Sequence, residues 1–227
     1  MNSAVSTKKL RVLAIDGPAG AGKSTISKLV AKRLGLFYLD TGAMYRGFAY
    51  KVLLNNIDPS DELEVKKLIS TTTIYYDKGV TVDGNDVTRE IRTEAVTNAS
   101  SIVSSVKEVR EFLVALQRSC AISHDGSVVE GRDMGSVVFT DAQLKIFLTA
   151  SVEERAKRRA IELGDADVAK IYQEISKRDK RDSTRDTSPL VIPRGAFLID
   201  TTGRDIESIV DEISRMWHDA DTESKEI

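Results

Sequence analysis

Short apolar runs alternate with amphipathic stretches along most of the chain. "LRVLAI" (10–15), "LFYL" (36–39), "SVV" (127–129), "LKIFL" (144–148) and "AFLI" (196–199) have the length of buried strands. Between or after them, apolar residues recur at helical spacing. Ile26, Leu29, Val30 and Leu34 form one such stripe, stopped by Gly35; others cover 42–54, 107–122, 151–163, 167–182 and 205–217. Ser151 and Glu154 make an S-x-x-E capping box at the start of one of these helices. Strands alternating with helices of this length predict an α/β fold, a parallel sheet covered by helices on both faces.

One region breaks the alternation. "TTTIYYDKGVTVDGNDVTREI" (71–91) is rich in threonine and β-branched residues and carries two turn signals, Lys78-Gly79 and Asp83-Gly84. It predicts a small antiparallel β insert. The polar tail "DADTESKEI" is expected to fray. No internal repeat or low-complexity segment interrupts the pattern.

Composition narrows the function. A chain of 227 residues can bury one large core, and its net charge of −2 excludes a general nucleic-acid surface while leaving room for a local basic cleft. Cys120 is the one cysteine, so neither an intrachain disulfide nor a thiolate metal cluster can form. His124 and His218 lack ligand-like spacing and are expected to do no chemistry. The opening "MNSAVSTKKLRVLAID" has too short an apolar run for a signal peptide, and no stretch reaches the ~20 apolar residues of a membrane span. A cytoplasmic protein is the expectation.

Candidate chemistry begins at Gly17-Pro18-Ala19-Gly20-Ala21-Gly22-Lys23-Ser24, a match to G-x-x-x-x-G-K-[ST] between a predicted strand and a predicted helix. Glycines let backbone N–H groups turn inward around phosphate oxygens, and the following helix N-terminus adds its unpaired donors. Lys23 brings a charge to the β- and γ-phosphates, and the Ser24 hydroxyl suits Mg²⁺. This predicts a nucleotide site. The N-K-x-D segment of a guanine reader is absent, and the D-x-x-G at Asp200–Gly203 reads as a turn leaving the last strand.

Arginines recur where such a site needs them. Arg155, Arg158 and Arg159 share one helix face, as do Arg178, Arg181 and Arg185. Phosphoryl transfer spreads charge over non-bridging oxygens, and arginines that close over it stabilise that charge and exclude water. "RDKRDSTRDTSP" (178–189) therefore suits a short mobile lid. Its arginines are expected to repel one another until phosphates arrive. Thr41, Gly42 and Arg46 in "DTGAMYR" (40–46) suggest a second phosphate or sugar site. "EGRDMG" (130–135) follows the third sheet strand, at the end where ligands gather in α/β sheets.

Together, "IDGPAGAGKST", "YLDTGAMYR", "EGRDMGSVVF", "KIFLTASVEERAKRR" and "ISKRDKRDSTRDTSPL" resemble the bacterial cytidylate kinase family over about residues 11–215. The resemblance implies a P-loop NTPase-type parallel sheet, a small antiparallel β insert and a short helical lid. It implies a CORE of about 10–40, 107–150 and 190–218, a nucleoside-monophosphate-binding region with its insert at about 41–106, and a LID at about 151–189. The chemistry implied is transfer of the ATP γ-phosphoryl group to CMP or dCMP, with Mg²⁺.

The same resemblance implies residue roles. Gly17, Pro18, Ala19, Gly20, Ala21, Gly22, Lys23, Ser24 and Thr25 bind ATP phosphates, with Ser24 on the metal. Thr41, Tyr45 and Arg46 line the acceptor pocket. Ser101, Arg110, Asp133 and Arg185 face the base, Arg178 and Asp182 the ribose, and Arg132 the acceptor phosphate. Lys23, Arg132, Arg155, Arg159 and Arg181 act on the transferring group. Glu130 is a candidate for water around Mg²⁺. The expected partners are ATP and CMP or dCMP, with no nucleic acid and no membrane, and the chain is expected to be a monomer. A uridylate- or adenylate-directed kinase and a P-loop ATPase working as a switch remain alternatives.

Overall fold

A computed structural model describes residues 11–164 and 167–223. In chain order, β1 (Val12–Asp16) leads to α1 (Lys23–Leu34), β2 (Phe37–Asp40), α2 (Thr41–Leu54) and α3 (Glu62–Ile69). Three short strands follow: β3 (Ile74–Asp77), β4 (Gly79–Val82) and β5 (Asn85–Asp86). Then come α4 (Glu94–Val103), α5 (Lys107–Ile122), β6 (Ser127–Gly131), a π-helical turn (Met134–Val138), β7 (Leu144–Thr149) and α6 (Val152–Leu163). The chain closes with α7 (Val168–Thr184), β8 (Phe197–Asp200) and α8 (Ile206–Glu223). Leu10, in the predicted first strand, and residues 224–227 of the tail lie outside the described residues. The part of the tail up to 223 continues α8 rather than fraying.

Five strands form a parallel sheet in the order β2-β6-β1-β7-β8. β1 lies between β6 and β7, with Asp16 opposite Gly131 and Phe147. All five residues of β1 and of β6 are buried, as strands covered on both faces must be. One face packs on α1 and α8 through Ile26, Val30, Ile209, Ile213 and Trp217. The other packs on α2, α4, α5 and the insert through Phe48, Val80, Val96 and Leu113.

The insert is the predicted antiparallel ribbon, β3-β4-β5. Its two turns use left-handed backbone at Lys78, Asp83 and Gly84 (φ 55°, 50° and 82°). The ribbon lies close on α2, where a Cβ on Gly47 would sit 2.9 Å from Val80.

α6 and α7 form a helical hairpin with a small core of its own, Ala156, Ala160, Ile171 and Ile175. Only half of the capping box at 151 forms. Ser151 accepts the Glu154 N–H (3.2 Å), but the Glu154 carboxylate is taken by Arg158. Residues 178–184 of the expected lid are the last turns of the 17-residue α7.

Candidate active site

The glycine loop leaves β1 pressed against β7. A Cβ on Gly17 would lie 2.1 Å from the Leu148 carbonyl oxygen, so no other residue fits there. Gly20 and Gly22 adopt left-handed backbone (φ 77° and 84°), which aims the loop into the first turn of α1. Lys23 is buried, and its Nζ donates to the Pro18 carbonyl at 2.7 Å. Burial, then the charge of Arg132, pushes its ammonium well below the usual lysine range.

Ser24 Oγ donates to Glu130 Oε2 at 3.0 Å, and Tyr38 donates to the other oxygen of the same carboxylate. Burial, and next the charge of Asp40, raises the Glu130 carboxyl. A buried carboxylate beside a hydroxyl fits a hard divalent cation that keeps part of its water shell.

Across the cleft, Asp40 caps α2 by accepting the Ala43 N–H (2.9 Å) and holds Arg46 Nη2 at 2.9 Å. Thr41 Oγ1 donates to the Glu130 carbonyl at 2.6 Å. Arg110, from α5, donates to the Asp133 carboxylate and lies 5.5 Å above the Tyr45 ring. Arg185 approaches the other oxygen of Asp133 to 3.9 Å.

The α6–α7 hairpin supplies the remaining wall. Arg155 is buried and donates to Ala19 of the glycine loop (3.0 Å) and to Asp179 of α7 (2.6 Å). Arg132 binds Asp182 at 2.9 Å, and Arg181 donates to Ser101 Oγ at 2.9 Å. Burial opposes ionisation of Asp182, but Arg132 and Arg178 beside it hold its carboxyl below the usual range. Burial, then Arg132, lowers the Arg178 guanidinium to about 10, still charged at neutral pH. The expected mutual repulsion of the lid arginines is therefore offset by Asp133, Asp179 and Asp182 among them.

Arg46 Nε, Arg110 Nε, Arg178 Nε and Arg185 Nη2 are buried with no hydrogen-bond acceptor among the described residues. Buried donors left so call for an anion or a polar ligand. The sequence model described as cytidylate kinase matches residues 13–219. The chain belongs to the cytidylate kinase family.

Curated relatives agree with that family over nearly the whole chain. The chain is 48% identical to the cytidylate kinase of Desulfitobacterium hafniense over 93% of its own length and 94% of the relative's. It is 49% identical to that of Caldanaerobacter subterraneus subsp. tengcongensis, over 88% and 92%. It also resembles a bifunctional pantoate ligase/cytidylate kinase of Prochlorococcus marinus, 44% identical over 93% of this chain and 44% of that longer protein. Among solved structures, a gluconokinase from Sinorhizobium meliloti shares the fold with a TM-score of 0.50 at 14% identity, covering 95% of this chain and 98% of that one. An uncharacterized protein from Eubacterium ventriosum gives 0.53 at 13%, covering 91% and 98%.

In this member of the cytidylate kinase family, the expected site residues gather at the carboxyl ends of the parallel strands, with one departure. Arg159 points away, donating to Glu162 on the exposed side of α6 (2.9 Å). Arg159 lies just over one turn further along α6 than Arg155, on the same side of the helix but beyond the reach of the glycine loop, and its side chain is partly exposed. Arg158 lies behind the loop, donating to the Thr201 carbonyl at 2.7 Å. Sequence reasoning missed Asp16, Tyr38, Asp40 and Asp179, all close to the site. For Asp16 the available signal was a charged residue closing an apolar run directly before the glycine loop.

Proposed function

We propose that the chain transfers the γ-phosphoryl group of ATP to CMP or dCMP, giving ADP and CDP or dCDP. The observation that carries this reading is the buried Arg110–Asp133 pair beside a phosphate-binding loop. Its donors and acceptor match the cytosine edge.

The loop from Gly17 to Thr25 and the start of α1 hold the ATP phosphates, with Lys23 on the β- and γ-groups. Arg46 and Arg132 hold the CMP phosphate, Arg178 and Asp182 the ribose, and Ser101, Arg110, Asp133 and Arg185 the base. Thr41 and Tyr45 line that pocket. A phosphate oxygen of CMP attacks the γ-phosphorus in line. The bond to the β,γ-bridging oxygen breaks, and its electron pair leaves with ADP. The acceptor is already an anion, so no general base is required. Lys23, Arg132, Arg155 and Arg181 stabilise the charge that develops, and the α6–α7 hairpin excludes the water that would hydrolyse ATP.

Mg²⁺ is the proposed metal. Ser24 would hold it, with Glu130 acting through its bound water, and it would neutralise charge between the phosphates. The sheet with its flanking helices serves as CORE, residues 41–106 as the acceptor-binding region and 151–189 as the LID. No described helix is long and apolar enough to cross a membrane. A monomer in the cytoplasm, acting on small molecules and on no nucleic acid, is the simplest setting for this chemistry.

A coupled ADP-release assay with each of the eight ribo- and deoxyribonucleoside monophosphates tests the reading. CMP and dCMP lead, with UMP well behind; AMP or GMP in first place overturns it.

A further inference from the structure

Asp16 closes β1, and its side chain is wholly buried. One carboxylate oxygen accepts the Met134 N–H and the other the Gly135 N–H, both at 2.8 Å. These amides open the π-helical turn Met134–Val138, and the first N–H groups of any helical turn have no partner within it. Asp133 stands immediately before the turn, with φ −145° and ψ 25°, and its carbonyl accepts the N–H groups of Val137 (2.9 Å) and Val138 (3.1 Å). A carboxylate from a different strand thus caps the turn in place of a local side chain. Single π-turns of this kind are frequent at functional sites.

Holding residues 134 and 135 fixes the backbone from which Arg132 and Asp133 project. On the other side of Asp16, Gly17 is seated on β7 by the approach to Leu148 described above. One short stretch therefore anchors both the phosphate-binding loop and the turn that carries the base-facing carboxylate.

We infer that Asp16 is a positioning residue for base selection, clamping the 134–138 turn so that Asp133 meets the cytosine amino group while Asp16 itself touches neither nucleotide. The inference rests on the reading of Arg110 and Asp133 as the groups that face the base. The chemistry of the clamp is specific. A carboxylate offers acceptors to both amides, whereas an asparagine offers one acceptor and turns an N–H₂ toward the second N–H. The turn must then shift, and 1 Å of misplacement is enough to matter in a site that works by orientation.

The test measures kcat/KM for CMP and for UMP in wild type, Asp16→Asn and Asp133→Asn, together with the Kd of a non-hydrolysable ATP analogue with Mg²⁺. The expected result for Asp16→Asn is a fall of about tenfold in the CMP-over-UMP ratio, with ATP-analogue binding within about threefold of wild type. An equal fall for CMP and UMP, with the ratio preserved, overturns the inference and leaves Asp16 a structural residue. If Asp16→Asn does not fold, Asp16→Ser, which keeps one acceptor, takes its place with the same expectation. Failure of both to fold assigns Asp16 to stability alone and equally overturns it. Asp133→Asn separates the two levels. A ratio unchanged there removes the base-facing reading itself, whereas a ratio that moves in Asp133→Asn but not in Asp16→Asn removes only the clamp.

Discussion

Arg110 and Asp133 meet in the interior, a guanidinium from the first turns of α5 donating to a carboxylate just beyond β6, with side-chain exposures of 4% and 3%. Such burial of a charged pair is weak evidence for stability, because desolvation offsets the attraction. A function explains it better. The pair presents donors and an acceptor side by side at a position where Arg185 also approaches Asp133.

Base discrimination should therefore depend on Asp133. Cytosine offers an amino hydrogen at position 4, and uracil offers a carbonyl oxygen that a carboxylate repels. Asp133→Asn should lose roughly ten- to a hundredfold in kcat/KM for CMP, because a pocket polar group is left mismatched. The CMP-over-UMP ratio should narrow, since an amide can turn its N–H₂ toward the uracil O4. Steady-state kinetics with both nucleotides decide this; an equal loss on both would move Asp133 from base reading to catalysis or structure.

Lys23→Ala should lower kcat by roughly 10²-fold or more, the scale of losing one positioned electrostatic stabiliser. Its thermal midpoint should stay close to that of wild type, because Lys23 belongs to a ligand cradle and burial of its ammonium is itself unfavourable. Rate measurements at saturating ATP and CMP, with a melting curve, check both halves. Near-normal turnover would refute the placement of Lys23 on the phosphates.

The α6–α7 hairpin should respond to ligands. Arg155 joins it to the glycine loop and Arg181 joins it to Ser101 of α4, so ligands on either side should tighten it. Trypsin cleavage within 178–189 is expected to slow when CMP and a non-hydrolysable ATP analogue are added together. Equal cleavage rates with and without them would count against a lid.

Asp16 also sets a pH dependence. Burial is the main cause that raises its carboxyl from 3.8 to about 6, against the two backbone N–H groups, which lower it. Between those values the folded chain keeps a proton that the unfolded chain has released. This contribution to stability is present at low pH and is lost as pH rises through about 6. A shift of about two units corresponds to about 3 kcal/mol. Wild type should lose about that much stability relative to Asp16→Asn between pH 4 and pH 7, read from urea unfolding of both proteins at each pH. A constant difference between them would show that Asp16 does not titrate there.

The sequence by itself determined the parts of this protein whose signals are local. The glycine loop between strand and helix, the alternating α/β pattern and the ribbon with turns at Lys78 and Asp83-Gly84 rest on backbone preferences of neighbouring residues. Tertiary structure decided the rest. α4 is built from "EAVTNASSIV", with few strong helix formers, and is held by its Thr93 cap and its packing on the α2 side of the core. α3 is only eight residues long, too short to stand without its neighbours. Arg155 is taken inward by Ala19 and Asp179 while Arg159, one turn further along the same side of α6, pairs with Glu162; that difference follows from where the loop and α7 meet α6, which no spacing of arginines specifies. Arg110 and Asp133 are 23 residues apart, Tyr38 and Glu130 are 92, and Asp16 and Met134 are 118. Periodicity carries no information about such pairs. Burial in the folded sheet is what makes each of these carboxylates require a donor, and only the assembled strand ends bring the partners within reach.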